Sequence, residues 1–149
     1  MLNWLKTNTA QARERIATEV SKYRNKEFME AVVAGCALVA AADGTVTPDE
    51  KQKMAKFIER SEELKVFEMR EVIQTFNGIM EGFDFDPAIG KIEAMKKVGK
   101  LRGNEDAGRT MVRVCCAIGA ADGDFDADER KMVAEICKEL GLDPAEFDL

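Results

Sequence analysis

Apolar residues recur every three or four positions along nearly the whole chain, the spacing of one buried face of an α-helix. Eight segments follow from this pattern. A weakly amphipathic helix at 3–23 carries Leu5, Ala12, Ile16, Val20 and Tyr23 on one side, with Trp4 near its start. A helix at 26–42 is apolar almost all round and is followed by one at 48–60 built on Met54, Phe57 and Ile58. The stripe Val72, Ile73, Phe76, Ile79 and Met80 predicts a helix over 66–82. Ile89, Ile92, Met95, Val98 and Leu101 predict another over 87–101. An apolar helix at 105–121, an amphipathic one at 127–140 and a last turn around 144–148 with Phe147 complete the chain. No alternating pattern of the strand type competes, so the expected class is all-α, a single domain of seven to eight helices.

Helix starts are marked independently. Each of the three prolines follows a capping residue, in Thr47-Pro48, Asp86-Pro87 and Asp143-Pro144. Proline suits the first helical position because its missing N–H has no partner there anyway. Glu50 and Glu146 stand three residues after Thr47 and Asp143, and Glu129 three after Asp126, the spacing of a capping box.

One string occurs twice. Cys36, Ala41-Ala42-Asp43-Gly44 and Asp49-Glu50 return 79 positions later as Cys115, Ala120-Ala121-Asp122-Gly123 and Asp128-Glu129. The period is too long for a solenoid of short repeats. It predicts two similar, pseudo-symmetric helical halves, about 26–82 and 87–149, behind an N-terminal basic helix in 1–25. The helices 26–42 and 105–121 are rich in Ala, Gly and Cys, so they are expected to cross closely at the centre, and burial alone accounts for Cys36, Cys115, Gly35 and Gly119.

Composition narrows the function. With 46% hydrophobic and 34% charged residues in 149, the chain reads as a globular domain with a substantial core. The longest apolar run, Ala31 to Ala42, is too short to span a bilayer. The N-terminus lacks an extended apolar stretch, so a cytoplasmic location is expected. The net charge of −6 is uneven: residues 1–26 carry +4 and the remainder −10. An acidic body argues against nucleic acid, whose phosphates need clustered Lys and Arg. The chain has no histidine, which excludes a histidine triad and an imidazole zinc site. The four cysteines, Cys36, Cys115, Cys116 and Cys137, lie in apolar helical stretches without a C-x-x-C pair and read as reduced core thiols.

Two aspartates stand out against this background. Gly44 and Gly123 read as helix-ending glycines, and Glu50, Glu129, Asp49 and Asp128 suit the first turn of a helix. Asp43 and Asp122 are instead placed by the pattern in the final turn of a helix, where the dipole disfavours a carboxylate by roughly 0.3–1 kcal/mol. Further acids stand nearby at Asp49, Glu50, Asp124, Asp126, Asp128 and Glu129. A divalent cation held by carboxylate and carbonyl oxygens would relieve the clash. The structural alternative is that both aspartates bond amides of the following loop or pair with lysines. An EF-hand loop is excluded, because its required Gly and Glu positions fall on Ala127 and Val133.

The twofold Asp-Gly turn resembles the TerB family of tellurite-resistance proteins. The resemblance also rests on Lys-Phe-Ile-Glu-Arg-Ser-Glu-Glu-Leu-Lys-Val-Phe at 56–67, on Phe83-Asp84-Phe85-Asp86 and on the ending Leu142-Asp-Pro-Ala-Glu-Phe147. It covers nearly the whole chain and implies a single TerB-like helical domain over 1–149. It further implies a cytoplasmic stress-resistance protein, reaching the inner face of the membrane only through partners. Those partners would be other Ter proteins, including an integral membrane protein. A metal-linked role for the acidic turns, also implied, falls here on Asp43, Glu50, Asp122 and Glu129, with Asp49, Asp124, Asp126 and Asp128 as secondary candidates. Calcium, magnesium, manganese and zinc are the ions considered.

The resemblance supplies no catalytic reaction. The leading expectation is therefore a non-enzymatic, cation-binding module. A metal-dependent phosphoester hydrolase built on the clustered carboxylates is one alternative, and a structural adaptor with unoccupied acidic turns is the other.

Overall fold

Side-chain caps set most of the helix starts in a computed structural model that describes residues 9–121, 123 and 125–149. Among these residues the chain forms seven α-helices, two 3-10 turns and no strand, the all-α class that the periodicity predicts. The helices are α1 (Thr9–Val20), α2 (Lys26–Ala40), α3 (Pro48–Arg60), α4 (Met69–Phe85), α5 (Pro87–Gly99), α6 (Glu105–Gly119) and α7 (Ala127–Leu140). The 3-10 turns are Glu62–Leu64 and Pro144–Phe147.

Asn25 and Asn104 cap α2 and α6 by accepting from the amides of Phe28 and Ala107. Reciprocal capping boxes start α3 and α7: Thr47 pairs with Glu50, and Asp126 with Glu129. Asp86 caps α5 through the Ala88 amide. The third expected box does not form. Asp143 accepts from the Ala145 amide, but Glu146 turns away to accept from Arg109 Nε at 2.9 Å. A charged guanidinium is the stronger donor.

The offset of 79 between the repeats holds for both ends of α2 and α6, for their Asn caps and for the capping boxes that follow. The likeness is local to these two helix–turn–helix units. Helices α4 and α5 follow the first, while a short 3-10 turn follows the second.

Helix α2 is the hub, packing on α3, α4, α5, α6 and α7. Its residues Ala31 to Val39 are buried without a break. The expected close crossing with α6 is present. A Cβ on Gly35 would lie 2.5 Å from Cys115 Sγ and 2.7 Å from Met111 Cε. Helix α1 docks through Ile16 and Val20, both buried, and packs on α6 and the Glu62–Leu64 turn. Trp4, Leu5 and the rest of 1–8 lie outside the described residues.

Three sequence expectations are corrected. Helices α2 and α6 stop at Ala40 and Gly119, two residues short of 42 and 121. Residues 62–64 form a 3-10 turn, so the helix expected at 66–82 runs instead over Met69–Phe85. Of the stripe expected over 87–101, Val98 and Leu101 are buried, but Ile89 and Ile92 are 40% and 58% exposed. Gly90, Ala94 and Val98 face inward instead. The cause is the tight approach of α5 to α4, where a Cβ on Gly90 would meet Phe83 N at 2.6 Å. Only a glycine-centred face fits there.

This packing makes paired predictions. Gly90→Ala should lower the thermal midpoint, because the clash is with backbone and overpacking costs about 1–3 kcal/mol. Gly78→Ala, in the same helical pair but with open space around its Cβ, should raise it through helix propensity, worth at most about 1 kcal/mol. Equal effects in thermal melts would contradict the close approach.

One buried acid was not legible from periodicity. Glu63 is 1% exposed, neither carboxylate oxygen has a hydrogen-bond partner, and Arg13 Nε stands 3.9 Å from Oε1. Desolvation raises its pKa, and the Arg13 charge opposes that shift without cancelling it. A carboxyl with a raised folded pKa contributes its stability below its unfolded value and loses it as pH rises through the folded one. Wild type should therefore lose stability relative to Glu63→Gln as pH rises from below 4.5, the ordinary value, toward neutrality. A difference independent of pH in chemical denaturation would show that Glu63 does not titrate in this way.

Candidate functional site

The close crossing of α2 and α6 brings their C-terminal ends together. A Cβ on Gly119 would lie 3.2 Å from Val39 Cγ1 and 3.0 Å from the Phe125 ring. The chain then leaves both helices in the same way. The Ala42 amide donates to Val39 O and the Ala121 amide to Ile118 O, each at 3.2 Å. The Gly44 amide donates to Ala41 O and the Gly123 amide to Ala120 O, each at 2.9 Å. Gly44 and Gly123 have φ of 96° and 84°, the left-handed region that favours glycine. The backbones at Gly44 and Gly123 are thus locally alike, and both lie at one end of the crossed helix pair.

Between the turns lies a cleft of about 240 Å³. Asp43 and Glu50 line it from the first unit, and Asp126, Asp128 and Glu129 from the second, with Lys53 beside them. Val39, Met54, Phe57 and Gly119 form its apolar part. Sequence reasoning missed Lys53, although it stands one turn after Glu50 and thus on the same side of α3. Asp49 is exposed and does not line the cleft. Asp122 and Asp124 lie outside the described residues.

Several of these carboxylates also have local partners. Asp43 Oδ1 accepts from the Thr45 amide at 3.2 Å, the contact to the following loop that is the structural alternative to a cation. Glu50 Oε1 accepts from the Thr47 amide at 3.0 Å and Glu129 Oε1 from the Asp126 amide at 3.2 Å. Asp43 stands beyond the helix rather than in its final turn, so its clash with the dipole is weaker than expected. The field of the cleft is nonetheless negative, because two helix C-termini point into it and neither carries a basic residue in its last turn. Arg13 partly compensates from outside, donating through Nη2 to Ala117 O at 3.2 Å. Oxygen ligands of this kind suit a hard cation, but among the described residues no three acidic or cysteine side chains stand together as a ready-made metal cage.

The thiols are core groups. Cys36, Cys115, Cys116 and Cys137 are free and buried, and Cys115 Sγ donates to Val32 O at 3.7 Å. The neighbouring Cys36 thiol, followed by burial, pushes the Cys115 pKa well up. Burial raises Cys116 and lifts Cys137 to about 12. Thiolate is the reactive form, so Cys115-Cys116 is unsuited to attack an oxidised substrate. A thiol reagent should label the native protein slowly at all four sites and rapidly only in denaturant. Prompt native labelling of the vicinal pair would contradict this reading.

No helix among the described residues is long and apolar enough to cross a membrane. No solved structure matches the chain. The family described as Tellurite resistance protein TerB matches residues 29–149, which include both acidic turns. A Tellurium resistance protein TerB from Alcaligenes sp. is 46% identical over 102 residues, covering 68% of this chain and 84% of that relative. On these matches, the chain belongs to the TerB family of tellurite-resistance proteins.

Proposed function

We propose that the protein serves tellurite resistance as an acidic, cation-responsive binding module that joins a membrane-associated complex of Ter proteins, and not as an enzyme. The observation that carries this reading is the convergence of Asp43, Glu50, Asp126, Asp128 and Glu129 on one cleft from two distant stretches of sequence. A divalent cation there would offset like charge accumulated by both turns and both helix ends. Asp122, which matches Asp43 in the repeat, is proposed as a further ligand. A site without a preformed cage would close around its ion, so occupancy would change how the two helix–turn–helix units sit against each other. That change is what a partner at the membrane would read.

A purely structural adaptor is the second reading. It is favoured by the amide contacts of Asp43, Glu50 and Glu129, each of which gives the carboxylate a local role.

Thermal melts with added calcium, magnesium, manganese or zinc separate the two. A ligand that binds only the folded state stabilises it by mass action, by about 2.7 kcal/mol at one hundred times its Kd. One of these ions should raise the midpoint in a dose-dependent way, and Asp43→Asn and Asp122→Asn should each weaken the response. The double variant should abolish it. Without added ion, Asp43→Asn should leave stability unchanged or slightly raised, because the amide oxygen can still accept from Thr45. A midpoint indifferent to all four ions, together with destabilised Asn variants, would leave the adaptor reading in place.

A further inference from the structure

Glu63 takes no part in the acidic cleft, yet its side chain is fully covered and neither carboxylate oxygen has a hydrogen-bond partner. The turn that carries it packs under α1. Arg13 of α1 approaches with Nε 3.9 Å from Oε1, but its Nη2 is engaged with Ala117 O at 3.2 Å. The other charge that acts on Glu63 is Glu62 of its own turn, which repels it. An ionised carboxylate held there without a hydrogen bond forfeits its hydration and recovers only part of the loss from Arg13. Water would restore that hydration as soon as α1 lifted away.

Helix α1 is suited to lift as a unit. It is 12 residues long, a length at which an isolated helix is marginal in water. Two buried side chains, Ile16 and Val20, and the Arg13 bond to Ala117 O hold it down. Helix α2 starts without its help, on the Asn25 cap. Tyr23 stacks on Phe28 with ring centroids 5.1 Å apart, which pins the chain just beyond α1. Ser21 and Lys22 form the turn between the two and are placed to act as a hinge.

We propose that α1 is a pH-sensitive strap, closed over Glu63 while that carboxyl is protonated and opening about residues 21–22 more readily as it ionises, with the other helices still folded. Opening hydrates Glu63, takes Arg13 from the end of α6 and bares Ile16 and Val20. The chain contains no histidine, so no imidazole responds in the same range. Linkage fixes the sign. Burial raises the Glu63 pKa when α1 is closed, so closure is most favourable below the ordinary value of 4.5 and weakens as pH rises through the raised one. Neither Arg13 nor Glu63 lines the cleft, so the strap stands apart from the cation reading.

Hydrogen exchange of the full chain, expressed as protection factors between about pH 4 and 8, reads the strap directly. Amides of α1 should exchange through an opening of smaller free energy than those of α2 and α6. The α1 opening constant should rise with pH, by about tenfold for each unit that separates the closed and open pKa of Glu63. Glu63→Gln cannot ionise and should flatten that rise. Arg13→Met removes the charge that opposes the shift, so its rise should exceed that of wild type. Amides of α1 as well protected as those of α2 and α6 would overturn the proposal. So would a wild-type opening constant that ignores pH, or a rise that persists in Glu63→Gln. If Glu63→Gln fails to fold, Arg13→Met decides, and a rise no larger than in wild type would sink the strap.

Discussion

The contact between α2 and α6 at Gly35 and Cys115 is the constraint on which the rest of the structure depends. Two helices rich in small residues approach until a methyl group in place of the glycine hydrogen would overlap a sulfur atom. Such an approach brings backbones close along the whole crossing, so Val39 and Gly119 meet at the C-terminal ends. Everything that follows either helix is then delivered to one place. The two acidic turns are near each other because of apolar packing about eight residues upstream, from Gly35 to Asp43 and from Cys115 to Gly123, and in spite of their own charge.

That arrangement has an electrostatic consequence. Each helix end contributes a partial negative charge, and the capping boxes of α3 and α7 bring Glu50 and Glu129 to the same cleft. The boxes stabilise the starts of α3 and α7, so the carboxylates cannot be removed without loss of local structure. Burial of the crossing therefore supports a concentration of like charge at its end. Lys53 within the cleft and Arg13 at Ala117 O bring positive charge to it from α3 and α1. Helix α1 is thereby part of the charge balance of the site, with Arg13 donating to the end of α6 and standing 3.9 Å from the buried Glu63.

Much of this was legible in the sequence, for reasons that particular residues make plain. The cap residues Thr47, Asp86 and Asp126 act through amides two or three positions away, so their effect is local and readable. The repeat placed Asp43 and Glu50 in register with Asp122 and Glu129, although it did not say that the turns would meet. What failed was whatever depends on a neighbour in space. Ile89 and Ile92 look like a core stripe because their hydrophobicity and spacing are right, yet the contact surface of α5 is chosen by glycine at Gly90, which hydropathy undervalues. Glu63 sits in a charged run, Glu-Arg-Ser-Glu-Glu-Leu-Lys, that reads as solvent-facing, but a 3-10 turn rotates it inward beneath α1. Lys53 reads in the sequence as one more lysine of a charged helix, and its place in the cleft follows from the direction of α3.

The misread face of α5 and the correctly read acidic turns meet in the elbow's attachments. Helix α3 carries Glu50 and Lys53 on its cleft side and Lys51 toward Asp84. Helix α7 carries Asp128 and Glu129 at its start and Glu135 toward Lys91. Each exposed ion pair contributes little stability by itself, on the order of 0–1 kcal/mol. Their placement still matters, because one pair ties the elbow to each of the two helices that begin at the cleft. Within the elbow the two helices pack backbone to backbone, the Gly82 Cβ position lying 3.6 Å from Gly90 Cα. A closely packed helix pair fastened to both walls of a charged cleft links them across the fold, so the repulsion gathered between the turns bears on the α4–α5 pair as well as on the core.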